Sequence, residues 1–163
     1  MQIYRERNEK MKMQAMLNGR NVEAEIAPDM MLLDFVRSQG MKSVKRGCDT
    51  GNCGLCTVWV DDKPVLSCST PALRVKGKKI TTIEGVADEA EAFSSFLAAE
   101  GADQCGFCSP GLIMNVLALR KENPHPSMDE IDEYLSGNLC RCTGYQSQRR
   151  ALAKYFGIVE ERK

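Results

Sequence analysis

Polar and apolar positions alternate strictly near the start of the chain. Met13, Ala15 and Leu17 take every second place, Asn18-Gly19 makes a two-residue turn, and Val22, Ala24 and Ile26 alternate on the return. This pattern predicts a β-hairpin. Pro28-Asp29 then opens a helix over about residues 30–39, with Leu32, Leu33, Phe35 and Val36 as its apolar side and Gly40 as its stop. A loop rich in glycine and cysteine, Gly47 to Cys56, leads into strand-like Thr57 to Val60, a turn at Asp61-Asp62, and Val65-Leu66. Hairpin, helix, loop and further strands predict an α+β unit of the β-grasp kind.

After about residue 86 the period becomes helical. Asp88 with Glu91 is expected to cap a helix running to about Glu100 and ended by Gly101. Ser109-Pro110 reads as an N-cap with proline at the first helical position, leading into Gly111 to Lys121. Ser127 and Glu130 form a capping box before Ile131 to Leu135, and Thr143 with Gln146 repeats the device before Tyr145 to Phe156. Four helices with short connections predict a four-helix bundle. The expected domains are residues 11–85 and 86–158, with residues 1–11 a frayed extension and no internal repeat.

Composition narrows the class. The 163 residues fit one ordinary domain or two small ones, and 43% hydrophobic content is enough for a core. The 22 Lys and Arg balance 22 Asp and Glu, so no basic field steers the chain onto nucleic acid or anionic lipid. The longest apolar stretch, Leu112 to Leu119, is broken by Asn115 and is too short to span a bilayer. The first residues, MQIYRERNEKMKM, are charged throughout and lack the apolar core of a secretory signal. A cytoplasmic, reducing location is therefore expected, without membrane insertion. There, eight cysteines point to bound metal rather than to disulfides.

The cysteines fall into two sets. Cys48, Cys53 and Cys56 have the C-x4-C-x2-C spacing of plant-type [2Fe–2S] ferredoxins, and Cys68 follows as the distant fourth ligand. Two bridged irons need four thiolates converging from around a small rhomb, so three come from one tight loop. Gly47, Gly51 and Gly54 interleave them, permitting positive φ and close approach of main-chain N–H groups to sulfur. Zinc sites usually pair two C-x2-C knuckles, which this spacing fits poorly.

The second set is Cys105 and Cys108 with Cys140 and Cys142. Both pairs precede helix starts, where unpaired N–H groups and the helix dipole favour negative charge. CGFC alone also reads as a redox dithiol, but its context is helical rather than βαβ, and Cys140 and Cys142 would then have no role. The single histidine, His125, excludes a Rieske centre, which needs two, and reads as a solvated loop residue.

Taken together, RGCDTGNCGLCTV, Cys68, QCGFCSPG and GNLCRCTGY resemble the iron–sulfur subunit of the molybdenum hydroxylases, the family of xanthine dehydrogenase, aldehyde oxidoreductase and molybdenum carbon monoxide dehydrogenase. The resemblance runs from about Met13 to Phe156. It implies a ferredoxin-like domain followed by a four-helix domain, each with one [2Fe–2S] cluster. It also implies a large partner subunit with molybdopterin, where substrate is hydroxylated, and a medium subunit with FAD. By position, Cys105, Cys108, Cys140 and Cys142 match the cluster near the pterin. Cys48, Cys53, Cys56 and Cys68 match the cluster near the flavin. Gln104 matches a glutamine that hydrogen-bonds the pterin, and on its own residues reads as a surface side chain capping a loop. The expected role is electron transfer from molybdenum through both clusters to FAD or another acceptor. A purine such as xanthine is the favoured substrate, with an aldehyde, carbon monoxide or an N-heterocycle as alternatives.

Two residues depart from the family pattern. Leu55 stands where alanine is usual, and Gln148 where the last helix commonly carries an apolar residue. These put in question the packing around the first cluster and of the last helix. Other residues read plainly: Trp59 as a half-buried strand residue that also could shield a cluster or face a partner, Met30, Met31, Met41 and Met114 as core filling, Arg149 and Arg150 as an exposed helix face. Arg141, between two cysteines, reads equally as a donor to the site or as solvated. No Ser-His-Asp set, phosphate loop or dinucleotide fingerprint occurs, so substrate chemistry is expected on another chain. Two rival classes remain: a free-standing ferredoxin, which has no need of the second cysteine set, and a zinc-stabilised interaction module, which would be colourless.

Overall fold

A computed structural model describes residues 10–159. Most of the expected N-terminal extension, residues 1–9, lies outside the described residues, while Met11 already opens the first strand.

Strands β1 (Met11–Leu17) and β2 (Arg20–Ile26) form the expected antiparallel hairpin, in the register Leu17 to Arg20 and Met13 to Ala24. Asn18 and Gly19 both take positive φ, 49° and 78°, as a primed two-residue turn requires. Helix α1 (Leu32–Ser38) is shorter than its expected span, because Met31 stays extended and bridges to Pro71. Strands β3 (Thr57–Val60) and β4 (Lys63–Leu66) pair across Asp61 and Asp62, which adopt φ of 50° and 65°. A further strand absent from the sequence reading, β5 (Lys79–Thr81), pairs parallel to β1 and antiparallel to β3. Three residues are too few to show a period. The sheet order is β2-β1-β5-β3-β4.

The C-terminal half holds α2 (Ala87–Ala99), α3 (Ser109–Glu122), α4 (Met128–Tyr134) and α5 (Gln146–Phe156). The Ser127–Glu130 capping box forms in full, with side chain and main chain bonded reciprocally. The other expected caps do not. Helix α2 continues from a 3₁₀ turn at Ile83–Val86 and has no side-chain cap, so Asp88 lies inside its first turn. Cys108, not Ser109, is the cap residue of α3, while the Ser109 hydroxyl lies 3.2 Å from Asp103 Oδ1. Before α5, Tyr145 takes φ of 69° and becomes the cap residue, while the Thr143 hydroxyl accepts from Tyr145 N–H at 3.1 Å and donates to the Cys140 sulfur.

Two apolar cores result. One face of the sheet packs on α1 through Met13, Leu17, Phe35, Val36, Val58 and Ile80. The other core joins Phe93, Leu97, Leu112, Val116, Ile131 and Leu152 from the helices. Each such aliphatic or aromatic side chain contributes roughly 1.5–3 kcal/mol on full burial. Strand β3 is buried on both faces: Val58 and Val60 enter the first core, and Trp59 enters the second. Trp59 is 1% exposed, more deeply buried than its strand position implied. Among the described residues no helix is long and apolar enough to cross a membrane.

Candidate metal centres

The loop before β3 winds tightly so that its cysteines converge. Asp49, Gly51 and Gly54 have φ of 55°, 74° and 71°. Gly47 is fixed by space instead, since a Cβ there would lie 2.9 Å from the Cys53 sulfur and 3.0 Å from a Leu55 methyl. Leu55 is buried and fills the place beside Gly47. Cys68 returns on a 3₁₀ turn, Ser67–Ser69, directly after β4. The buried Ser67 hydroxyl donates to the Cys56 carbonyl at 2.6 Å, pinning that return to the loop.

All eight cysteines are free thiols, and they stand in pairs. Cys48 neighbours Cys53 and Cys56 neighbours Cys68; Cys105 neighbours Cys142, with sulfurs 3.5 Å apart, and Cys108 neighbours Cys140. Two pairs per site is the donor set of a two-iron rhomb, in which each tetrahedral iron takes two thiolates and two bridging sulfides.

Main-chain N–H groups point at the sulfurs as the glycine pattern anticipates. Thr50 N–H meets the Cys48 sulfur at 3.5 Å, Asn52 N–H also reaches Cys48, Leu55 N–H reaches Cys53 and Gly51 N–H reaches Cys68. The Thr50 hydroxyl, with the N–H groups of Thr50 and Asn52, lowers the Cys48 thiol to about 6. Burial, with Cys56 beside it, pushes Cys68 up to about 11; burial, with Cys140 beside it, does the same for Cys108. Burial opposes ionisation of Cys140 too, but the Thr143 hydroxyl and the N–H groups of Thr143 and Cys142 outweigh it. Thiolates crowded and buried in this way are stabilised by a cationic group among them, a charge that iron would supply.

The second set lies around a cleft of about 370 Å³ that also reaches Gly47, Cys53 and Leu55 of the first loop. Cys105 and Cys142 are exposed, and Phe107, Leu139 and Tyr145, each about half exposed, surround them. Arg141 lines the same cleft. Gln104 is exposed beside Cys105, its amide donating to the Gly101 carbonyl at 3.4 Å. His125 is exposed in its loop.

Three features of the site escaped the sequence reading. Gln148 is buried, and its amide nitrogen lies 3.8 Å from the Cys108 sulfur. A polar residue one turn before the buried Ala151 and Leu152 was the available signal. The Tyr145 hydroxyl accepts from Cys140 N–H at 3.0 Å, and the Thr143 hydroxyl donates to the Cys140 sulfur at 3.2 Å. Beside them Tyr145 itself is left-handed, which no local pattern announces.

Comparison with known proteins agrees with this geometry. Residues 15–81 match the family described as "2Fe-2S iron-sulfur cluster binding domain", and residues 82–153 match that described as "[2Fe-2S] binding domain". The nicotinate dehydrogenase small FeS subunit of Eubacterium barkeri is 44% identical over 133 residues, covering 79% of this chain and 84% of that protein. The xanthine dehydrogenase iron-sulfur-binding subunit of Escherichia coli O157:H7 is 43% identical over 143 residues, covering 85% of this chain and 90% of that protein. The chain belongs to the iron–sulfur subunits of the molybdenum hydroxylases. A solved relative, quinoline 2-oxidoreductase from Pseudomonas putida 86, superposes with a TM-score of 0.83 at 37% identity, covering 90% of this chain and 93% of the compared chain. As a molybdenum hydroxylase iron–sulfur subunit, the protein carries two [2Fe–2S] clusters and transfers electrons within a multi-subunit oxidoreductase. In the multi-subunit members of this family molybdopterin and FAD belong to partner subunits.

Proposed function

We propose that Cys48, Cys53, Cys56 and Cys68 hold one cluster in a β-grasp, ferredoxin-like domain of residues 11–85. Cys105, Cys108, Cys140 and Cys142 hold the other in a four-helix domain of residues 86–158. The observation that carries this reading is the two-plus-two pairing of free thiols in each set. Each cluster, when bound, accepts and releases one electron at a time. The chain's own part is to fix the thiolates, direct N–H groups at them and cover all but the outward pair.

The partner that delivers electrons is a molybdopterin-bearing large subunit, docked on the face where Cys105 and Cys142 are exposed among Phe107, Leu139 and Tyr145. An apolar rim around charged sulfurs suits a buried interface, because the partner replaces water there. Gln104, exposed on that face beside Cys105, is available to hydrogen-bond the pterin. Electrons leave from the first cluster to FAD on a medium subunit, in the cytoplasm. The substrate is an N-heteroaromatic compound, with a purine such as xanthine favoured; relatives named for nicotinate, xanthine and quinoline support that class.

The test is the EPR spectrum of the dithionite-reduced protein, with iron and zinc counted on the same sample. Two rhombic signals and about four irons per chain are expected, since each cluster holds two. One signal with about two irons would confine the assignment to one set, and zinc without a signal would overturn it. For Gln104→Ala in the assembled enzyme, slower turnover with both signals intact is expected. Loss of iron would instead mark that glutamine as structural.

A further inference from the structure

Two glycines let the halves of the chain meet at main-chain distance. A Cβ on Gly111 would lie 2.3 Å from the Gly54 carbonyl oxygen and 2.8 Å from the Leu55 Cα. A Cβ on Gly54 would lie 2.6 Å from the Gly137 carbonyl oxygen. The first turn of α3, the loop before Cys140 and the loop of Cys53 to Cys56 therefore meet main chain to main chain. Within this seam, Leu139 N–H donates to the Cys53 carbonyl at 3.0 Å. Leu139 adjoins Cys140, so a single main-chain hydrogen bond links one cysteine of each set.

Behind the seam stands Asn115, the residue that breaks the longest apolar run. It is partly buried on α3, flanked by the buried Met114 and Val116. Its amide donates to Asn138 Oδ1 at 2.7 Å and to the Thr57 hydroxyl oxygen at 3.3 Å. The Thr57 hydroxyl in turn donates to the Gly54 carbonyl at 2.7 Å. A polar side chain among apolar neighbours is costly unless bonded, and this one is bonded to both sides of the seam.

We propose that Asn115 is a positioning residue that locks the two cysteine sets at one separation, by tying the Gly54 carbonyl, α3 and the Gly137–Leu139 loop into a rigid joint. Separation matters because electron transfer between two centres weakens steeply with distance. A residue that only stabilised the fold would lower melting temperature on removal and leave the separation unchanged. The proposal rests on the two-cluster assignment above.

The experiment uses the full chain carrying both clusters, with the variants Asn115→Leu and Thr57→Val. Both are close in size to the native residue and remove a donor from the joint. Iron is counted, and the distance between the two reduced centres is measured by pulsed dipolar EPR. The wild type is expected to give one narrow distance. The variants are expected to keep full iron and both signals while the distribution broadens or lengthens. An unchanged narrow distance in both variants would overturn the proposal, as would loss of one centre's iron from both. A wild type lacking one centre would instead overturn the two-cluster assignment.

Discussion

The indole N–H of Trp59 donates to the main-chain carbonyl of Met114 at 3.0 Å, joining β3 to the middle of α3. The Lys121 ammonium lies 4.0 Å from the centroid of the same ring, covering its outer face. One side chain of the sheet thus anchors the helical core. Replacing it with phenylalanine removes the hydrogen bond and leaves much of the ring, so Trp59→Phe is expected to cost about 1–3 kcal/mol. Trp59→Ala is expected to cost about 3–5 kcal/mol. Urea unfolding midpoints of the cluster-loaded protein measure both, and an unshifted midpoint for Trp59→Phe would refute the anchoring role.

Gln148 places its amide 3.8 Å from the Cys108 sulfur. A donor to a ligating sulfur favours the reduced, more negative form. Gln148→Leu should therefore make the potential of the second centre more negative. A hydrogen bond worth about 1 kcal/mol corresponds to roughly 40 mV for one electron. Redox titration followed by EPR separates the two centres, and only one of them should move.

Cys142 is exposed at the end of the GNLCRC segment, whereas the first set is enclosed by its own loop and β4. Cys142→Ala should lose the second centre and spare most folding of the N-terminal half, leaving about half the iron and one EPR signal. Electron flow from molybdenum should then stop. Normal turnover with the flavin acceptor would contradict the assignment of that centre.

Glu100, at the end of α2, accepts from Lys154 and from Arg150 Nε, the latter at 2.9 Å, clamping α2 to α5. The Lys154 bond, then that of Arg150, holds its carboxyl below the ordinary value of 4.5. A lowered carboxylate contributes stability that is present above its unfolded value and is lost as pH falls through the folded one. Wild type should therefore melt higher than Glu100→Gln at neutral pH, with the gap closing below about pH 4.5 as the carboxylate is protonated. A gap independent of pH would argue against the ion pair as its source.

Much of this protein was legible in one dimension because its signals are local. The hairpin followed from Asn18-Gly19 between alternating runs, and the capping box from Ser127 and Glu130, since each involves only near neighbours. Eight cysteines with ferredoxin-type spacing in the first set identified the chemistry, because a rhombic cluster dictates how closely its ligands follow one another. Thr143 shows the opposite case. Its sequence context is that of a helix cap, and its hydroxyl does accept from Tyr145 N–H at 3.1 Å, but the left-handed Tyr145 delays the helix to Gln146 and the same hydroxyl donates to the Cys140 sulfur. Gln148 looked like a packing fault, and burial next to Cys108 gives it a partner that lies 40 residues away.

The sequence by itself pointed to most of the elements, to cysteine as the metal-binding residue type and to the family, since local pattern, residue identity and spacing carry these. Only the tertiary structure decided which thiols stand side by side, that β5 completes the sheet, that Trp59 belongs to the helical core, and that Gly54 and Gly111 touch. Such relations depend on chain segments far apart in sequence meeting at van der Waals distance. Close packing sets that distance, and no local pattern encodes it.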